Sequence, residues 1–188
     1  MSVTQLDPNT ALIVVDLQKG IVGYPVVHPI EGVIAQNRKL LDTFRAAKQT
    51  VVLVNVAGVA PGRTEAPRTN TAAFPDGWTD LIPELNAQTD DILVTKHTWG
   101  AFVNTDLEEI LRERGVTQVV VTGVATGTGV ESTARQAYEA GFNVALATDA
   151  MTDMRAEAHD YSLFKIFPRL GETGTADEII ALLQTKSA

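Results

Sequence analysis

The sequence predicts an α/β fold, a three-layer α/β/α sandwich with helices on both faces of a mostly parallel central sheet. Three observations lead there. Five apolar runs are Val-rich and continuous rather than alternating, the pattern of parallel strands buried on both faces. The stretches between them carry helical periodicity, so strand and helix alternate along the chain. The 188 residues suit one sizeable α/β domain over 1–188, with no internal repeat, low-complexity tract or linker.

The first strand is expected at 10–17 ("TALIVVDL"), the second at 50–56 ("TVVLVNV") and the third at 91–96 ("DILVTK"). The fourth falls at 118–124 ("QVVVTGV") and the fifth at 143–150 ("NVALATDA"). Among the helices, 34–48 sets Ile34, Leu40, Leu41 and Phe44 on one stripe. The next, 106–114, carries Leu107, Ile110 and Leu111 and is followed by Gly115 in the stop position. Helix 131–140 is followed by Gly141 in the same role, and 156–166 and 176–184 complete the set. The segment 58–78 ("GVAPGRTEAPRTNTAAFPDGW") has no period and is too long for a tight turn. It reads as a substrate-side loop.

The chain has 15 Lys plus Arg against 23 Asp plus Glu, a formal net charge of −8. That balance argues against nucleic acid as a partner, because phosphate binding needs a basic face. A small anionic molecule needs only a local Lys or Arg. The absence of cysteine removes disulfides, thiolate metal sites and cysteine nucleophiles together. No apolar run approaches the roughly 20 residues of a membrane span. The start, "MSVTQLDPNT", lacks the basic and apolar regions of a signal peptide. A cytoplasmic protein without a membrane partner is the expectation.

Ligands of open α/β sheets bind beyond the carboxyl ends of the strands. Here the first strand ends in Asp16, the third in Lys96, the fourth in the turn 123–129 and the fifth in Asp149. Three charged groups at one edge point to a site. Asp16 and Lys96 can pair there; pairing lowers the Asp pKa and burial raises it, and the sequence leaves the balance open. Each also has a plain structural reading, as a loop-anchoring carboxylate and a solvated strand end. The turn "GTGVES" partly matches a dinucleotide fingerprint, with Asp149 about 20 residues further on. That fingerprint belongs at the first strand-to-helix turn, which reads "VDLQKG", so no cofactor is expected. Trp99 and Phe102 follow Lys96 closely enough to line a pocket, and Tyr24, after the first strand, is a further pocket candidate; Phe74 and Trp78 lie in the long loop, and core or loop packing would equally explain all five. His28, His97 and His159 are scattered and read as surface or helix-end residues, and no metal site is expected. Glu131 and Arg135 read as an intrahelical pair.

Asp16, Lys96 and the stretches "ALIVVDLQKG", "VTKHTWGAF", "GVATGTGVESTARQAYEAG" and "NVALATDAMTD" give a resemblance to the isochorismatase-like hydrolase superfamily over nearly the whole chain. The resemblance implies a Rossmann-like sandwich and homo-oligomers. Most members are cysteine hydrolases with an Asp–Lys–Cys triad that cleave C–N bonds. Asp16 and Lys96 match the first two positions, and Gly129 falls on the third. The superfamily's cis peptide would fall at Val124–Ala125, with the N–H groups of Ala125 and Gly129 forming the oxyanion hole.

Without a thiol no thioester forms. True isochorismatases also carry glycine at this position, and they hydrolyse the vinyl ether of isochorismate to a dihydroxy-cyclohexadiene carboxylate and pyruvate. By that resemblance Asp16 is the general acid, while Lys96 orients it and binds a substrate carboxylate. The two roles pull against each other, since Lys96 favours the ionised form and acid catalysis requires the protonated one. Authentic isochorismatases bind substrate carboxylates through a Gln-containing stretch and an Arg after the second strand. This chain reads "NVAGVAPGRTEAPRTN" there, leaving Arg63 or Arg68 as anion-binding candidates and the natural substrate open. The other functional class is a catalytically inactive member that binds a small molecule or a protein partner.

Overall fold

In the computed structural model, which describes residues 2–65 and 74–185, six strands form one sheet. They are β1 (Thr10–Val15), β2 (Thr50–Val56), β3 (Ile92–Lys96), β4 (Gln118–Val124), β5 (Asn143–Thr152) and β6 (Glu172–Gly174). The order is β3-β2-β1-β4-β5-β6, and every neighbouring pair is parallel. The chain winds outward one way from β1 to β3 and the other way from β4 to β6. The reversal lies between β1 and β4, where an open sheet leaves a crevice at its carboxyl edge.

The helices are α1 (Lys19–Val22), α2 (Ile30–Ala46), α3 (Leu107–Glu113), α4 (Glu131–Glu139), α5 (Ala156–Tyr161) and α6 (Ala176–Thr185). Strand β1 shows why two helical layers form. All six of its residues are buried, and alternate side chains point to opposite faces. Ala11, Ile13 and Val15 pack with Leu107 and Leu111 of α3 and Ala134 and Ala137 of α4. Leu12 and Val14 pack with Leu40, Leu41 and Phe44 of α2 and Ile179 and Leu183 of α6. Gly115 (φ 67°) and Gly141 (φ 84°) stop α3 and α4 in the left-handed conformation expected of them.

Several boundaries differ from the sequence reading, each for a local reason. Strand β3 is an edge strand with alternating burial, and Leu93 is exposed, so the expectation of burial on both faces fails there. Helix α2 begins four residues early, directly after Pro29, whose fixed φ suits a helix start. The short β6 carries no apolar run and was invisible to a search for one. Strand β5 continues to Thr152, which places Asp149 inside the strand rather than at its end. There the Asp149 carboxylate accepts the Ala176 N–H at 2.7 Å and caps α6, so it is not part of the carboxyl-edge cluster. Helix 156–166 widens to a π turn from Ser162 to Ile166, and another π turn, Thr126–Val130, precedes α4. Among the described residues no helix is long and apolar enough to cross a membrane.

Candidate active site

Asp16 stands one residue past β1, in the left-handed region at φ 54°, with its N–H donating to the Val54 carbonyl at 2.9 Å. Lys96 is the last residue of β3. Strand β2 lies between them, so the two chain positions are about two strand spacings, or roughly 10 Å, apart. The four-methylene stem of lysine spans that gap, and a shorter side chain would not. The Lys96 ammonium donates to Asp16 Oδ2 at 2.8 Å and to the Thr98 carbonyl at 3.2 Å. Both residues are buried, Asp16 5% and Lys96 1% exposed. The second carboxyl oxygen, Asp16 Oδ1, is buried and has no hydrogen-bond partner. Burial therefore outweighs the pull of the ammonium and pushes the Asp16 carboxyl up to about 6.

Gly129 completes the floor. The peptide Val124–Ala125 is cis, and the π turn that follows brings Gly129 back over the end of β1. A β-carbon built on Gly129 would lie 3.2 Å from Asp16 Oδ2, 3.3 Å from the Val124 carbonyl oxygen and 3.1 Å from Val15 Cγ1. The Gly129 carbonyl accepts from Thr133 Oγ at 2.7 Å, and Thr133 Oγ in turn accepts the Ala101 N–H, which ties the turn to the segment after Lys96.

Asp16, Lys96 and Gly129 open into a cavity of about 400 Å³, walled by Tyr24, Trp99, Phe74, Trp78, Ile21 and Val59 among others. Trp78 and Phe74 stack with ring centroids 4.1 Å apart, so the described end of the long loop does face the site. The sequence-derived pocket residues divide. Tyr24 and Trp99 line the cavity, whereas Phe102 turns away and packs on Phe142 in the α3–α4 core, at 6.0 Å between centroids. Its N–H is taken by Gln136 Oε1, which points the segment away from the pocket. Arg63 is exposed and does not line the cavity, and Arg68 lies outside the described residues.

Three residues support the site in ways the sequence reading missed. Buried Gln18 accepts the Val56 N–H at 2.7 Å and donates to the Val56 and Trp78 carbonyls, clamping the ends of β1 and β2 to the loop. Asp153, directly after β5, accepts the Gly127 N–H at 2.8 Å. Buried His159 meets Thr126 Oγ at 2.8 Å, so the turn is pinned from below at two consecutive residues. Burial and the neighbouring His28 lower the His159 pKa. His28 and His159 are thus not scattered; their rings lie 4.6 Å apart. Their 131-residue separation in the chain hid the contact, though the Asp153 position was visible in "NVALATDAMTD". Glu131 and Arg135 form the expected intrahelical pair at 2.8 Å. Among the described residues no group of three or more His, Asp or Glu is placed to hold a metal ion.

Residues 10–178 match the family described as the isochorismatase domain. The uncharacterized isochorismatase family protein YwoC of Bacillus subtilis is 39% identical over 181 residues, covering 92% of this chain and 93% of that protein. Ureidoacrylate amidohydrolase RutB of Stutzerimonas stutzeri is 30% identical, covering 90% of this chain and 80% of that protein. An isochorismatase family protein from Burkholderia thailandensis superposes with a TM-score of 0.91 at 39% identity, covering 97% of this chain and 100% of its own. These likenesses span the whole sheet and the strand ends that build the cavity, and the chain belongs to the isochorismatase family of hydrolases.

Proposed function

We propose that this protein hydrolyses a vinyl ether in a small carboxylated metabolite, with Asp16 as general acid and no covalent enzyme intermediate. The observation that carries the reading is the Asp16 carboxyl. One oxygen is anchored by Lys96, the other is buried and unpartnered, and the group has a pKa of about 6 at the floor of a cavity. At pH 7 roughly one Asp16 in ten then carries a proton, so burial resolves much of the conflict between ion pairing and acid catalysis. The chain has no cysteine, so the thiol route that the wider superfamily uses for amides is closed to it.

Asp16 donates its proton to the terminal methylene carbon of the enol ether, and positive charge develops on the ether-bearing carbon as an oxocarbenium ion. Water adds to that carbon, and the hemiketal collapses to pyruvate and the alcohol. Lys96 stays charged and fixes Asp16 Oδ2; its third ammonium hydrogen is assigned to a substrate carboxylate. The N–H groups of Ala125 and Gly129 are assigned to a second anionic group of the substrate, at the start of the turn leading into α4. Tyr24 and Trp99 enclose the rest of the molecule.

Pyruvate release from isochorismate, coupled to NADH oxidation by lactate dehydrogenase, tests this reading. Asp16→Asn is expected to lower turnover by about 10²–10⁴-fold with an unchanged far-UV circular dichroism spectrum. No pyruvate above buffer with the wild type rejects vinyl-ether hydrolysis of isochorismate, and full activity in Asp16→Asn rejects the acid assignment.

A further inference from the structure

Two histidines meet the ends of β4 and β5 through the same geometry. Thr126, in the turn after β4, and Thr152, the last residue of β5, are both fully buried. Thr126 Oγ lies 2.8 Å from His159 Nδ1, and Thr152 Oγ lies 3.1 Å from His28 Nδ1. Thr152 Oγ also accepts the His28 N–H at 3.3 Å, which leaves its own hydrogen for His28 Nδ1. Among the described residues Thr126 Oγ has no partner other than His159, and a buried hydroxyl gives its hydrogen to the acceptor within reach. These bonds assign both rings the neutral Nε2–H form, with Nδ1 accepting. His28 is exposed and His159 buried, so His159 stands between the solvent-facing ring and the turn.

A proton on His159 inverts its bond to the turn. An imidazolium donates at both nitrogens, so Thr126 Oγ must accept, and its hydrogen is left in a packed interior without an acceptor. The turn has little room to adjust in place. A β-carbon on Gly127 would lie 3.2 Å from Ala158 Cβ of α5 and 3.3 Å from Asp153 Oδ2. Charged groups act on His159 from three elements: His28 ahead of α2, Asp160 on α5 itself and Asp153 after β5. Glu131, at the start of α4, is engaged by Arg135 and Ser162. Burial first, and then His28, lower the His159 pKa against the pull of the two carboxylates.

We propose that the two histidines form a proton-sensitive latch on the active-site turn. Neutral His159 is a positioning residue that holds Thr126, His28 keeps the proton off it, and the hold is lost in acid once His159 is charged. This rests on the reading that the turn binds an anionic group of the substrate, and it adds an acid limit to that binding. Ala125 and Gly129, whose N–H groups are assigned to that anionic group, lie on either side of Thr126 in the chain. Release of Thr126 displaces those donors, so the loss falls on KM.

The titrations are read by NMR without any substrate. Ring ¹H–¹³C signals follow each histidine, and ¹H–¹⁵N signals follow the amides of Ala125, Gly127 and Gly129 in the same samples. An Asp16→Asn background keeps that carboxyl from adding a transition of its own. The turn amides are expected to shift with the His159 midpoint. His28→Gln is expected to move both midpoints to higher pH together, because it removes a charge that opposes the proton. In His159→Asn, whose Oδ1 still accepts from Thr126 and does not titrate, the turn transition is expected to vanish. With isochorismate and Asp16 intact, KM is expected to rise about tenfold per pH unit below the His159 midpoint. His159→Leu is expected to raise KM roughly 10-fold or more at every pH, and His159→Asn to recover most of that loss without the acid rise. Turn amides that do not follow His159, or a His159 midpoint that stays or falls in His28→Gln, overturn the latch. An acid rise in KM that persists in His159→Asn overturns it as well. A wild type that releases no pyruvate rejects vinyl-ether hydrolysis of isochorismate, and the NMR titrations then decide the latch by themselves.

Discussion

Replacing Lys96 by Met isolates the force that sets the Asp16 proton affinity. Burial raises this carboxyl from 3.8 to about 6, and the Lys96 charge and hydrogen bond both oppose that rise. At the 2.8 Å separation between Nζ and Oδ2, and an effective dielectric of about 20, the bare attraction is about 6 kcal/mol. Solvent and protein relaxation reduce this in practice, and an opposite charge at such range lowers a carboxyl by about 1–3 pKa units, or about 1.4–4 kcal/mol. Lys96→Met removes the pull and leaves burial in place, so the Asp16 pKa is expected to rise to about 7–9. The variant is expected to fold, because the orphaned carboxyl takes a proton instead of remaining a buried, unpaired charge.

Two measurements read the shift. Carboxyl ¹³C NMR of labelled Asp16 gives the titration without reference to any substrate. The pH profile of kcat/KM gives the second reading, since activity that needs protonated Asp16 falls tenfold per pH unit above its pKa. The falling limb is expected near pH 6 in the wild type and at least one unit higher in Lys96→Met, whatever the loss in absolute rate. Stability moves with the same group. Its folded-state pKa lies above the unfolded value, so its contribution is complete below pH 4 and is lost as pH rises through about 6 in the wild type and later in the variant. A titration that stays at 6 or moves down in Lys96→Met refutes the account of burial opposed by an ion pair.

Two further substitutions test how the frame holds the site. Gly123 sits at φ 113° beside Val15 in the β1–β4 pairing, and a β-carbon there collides with the Val15 backbone carbonyl. Gly123→Ala is expected to cost at least about 3 kcal/mol in urea unfolding, and a loss below about 1 kcal/mol contradicts the geometry. Asn37, fully buried in α2, donates to the Val33 and Ala150 carbonyls at 2.8 Å and accepts from Thr122 Oγ at 2.6 Å. Asn37→Ala orphans groups on β4 and β5 at once and is expected to destabilise by about 2–4 kcal/mol in the same assay; a change within 0.5 kcal/mol shows that these groups find other partners.

Elements governed by local pattern were legible in the sequence. The four central runs 10–17, 50–56, 118–124 and 143–150 are strands because their Val-rich continuity has no other use in a chain of this length. The pairing of Asp16 with Lys96 followed from their strand-end positions, although its consequence for the pKa depended on burial, which a sequence does not display. What escaped was decided by contacts across long chain separations. His28 meets His159 because β5 runs two residues beyond the expected 143–150, to Thr152 beside His28, and a continuation through "DAMTD" looks like a loop. Asp149 looked like a site residue for the same reason in reverse. Phe102 was misplaced because proximity to Lys96 in the chain says nothing of side-chain direction, and Gln136 settles that direction from another helix.

The strand order explains how one frame accommodates two kinds of hydrolysis. Asp16 and Lys96 belong to β1 and β3, on one side of the reversal in winding, whereas Gly129 belongs to the turn after β4, on the other. The ion pair is anchored by Val54, Thr98 and the ends of β1 to β3, none of which depends on the side chain at 129. Exchange at 129 therefore leaves the anchors of the ion pair in place and changes what faces it across the crevice. In the thiol members the resemblance implies, the aspartate must be charged to accept a proton from the nucleophile; in the chemistry proposed here it must carry one. A carboxyl held near 6 by burial against an ion pair lies between those demands, so either protonation state is reachable within about 1.4 kcal/mol per pH unit. The group facing Asp16 across the crevice then decides in which direction the proton moves first.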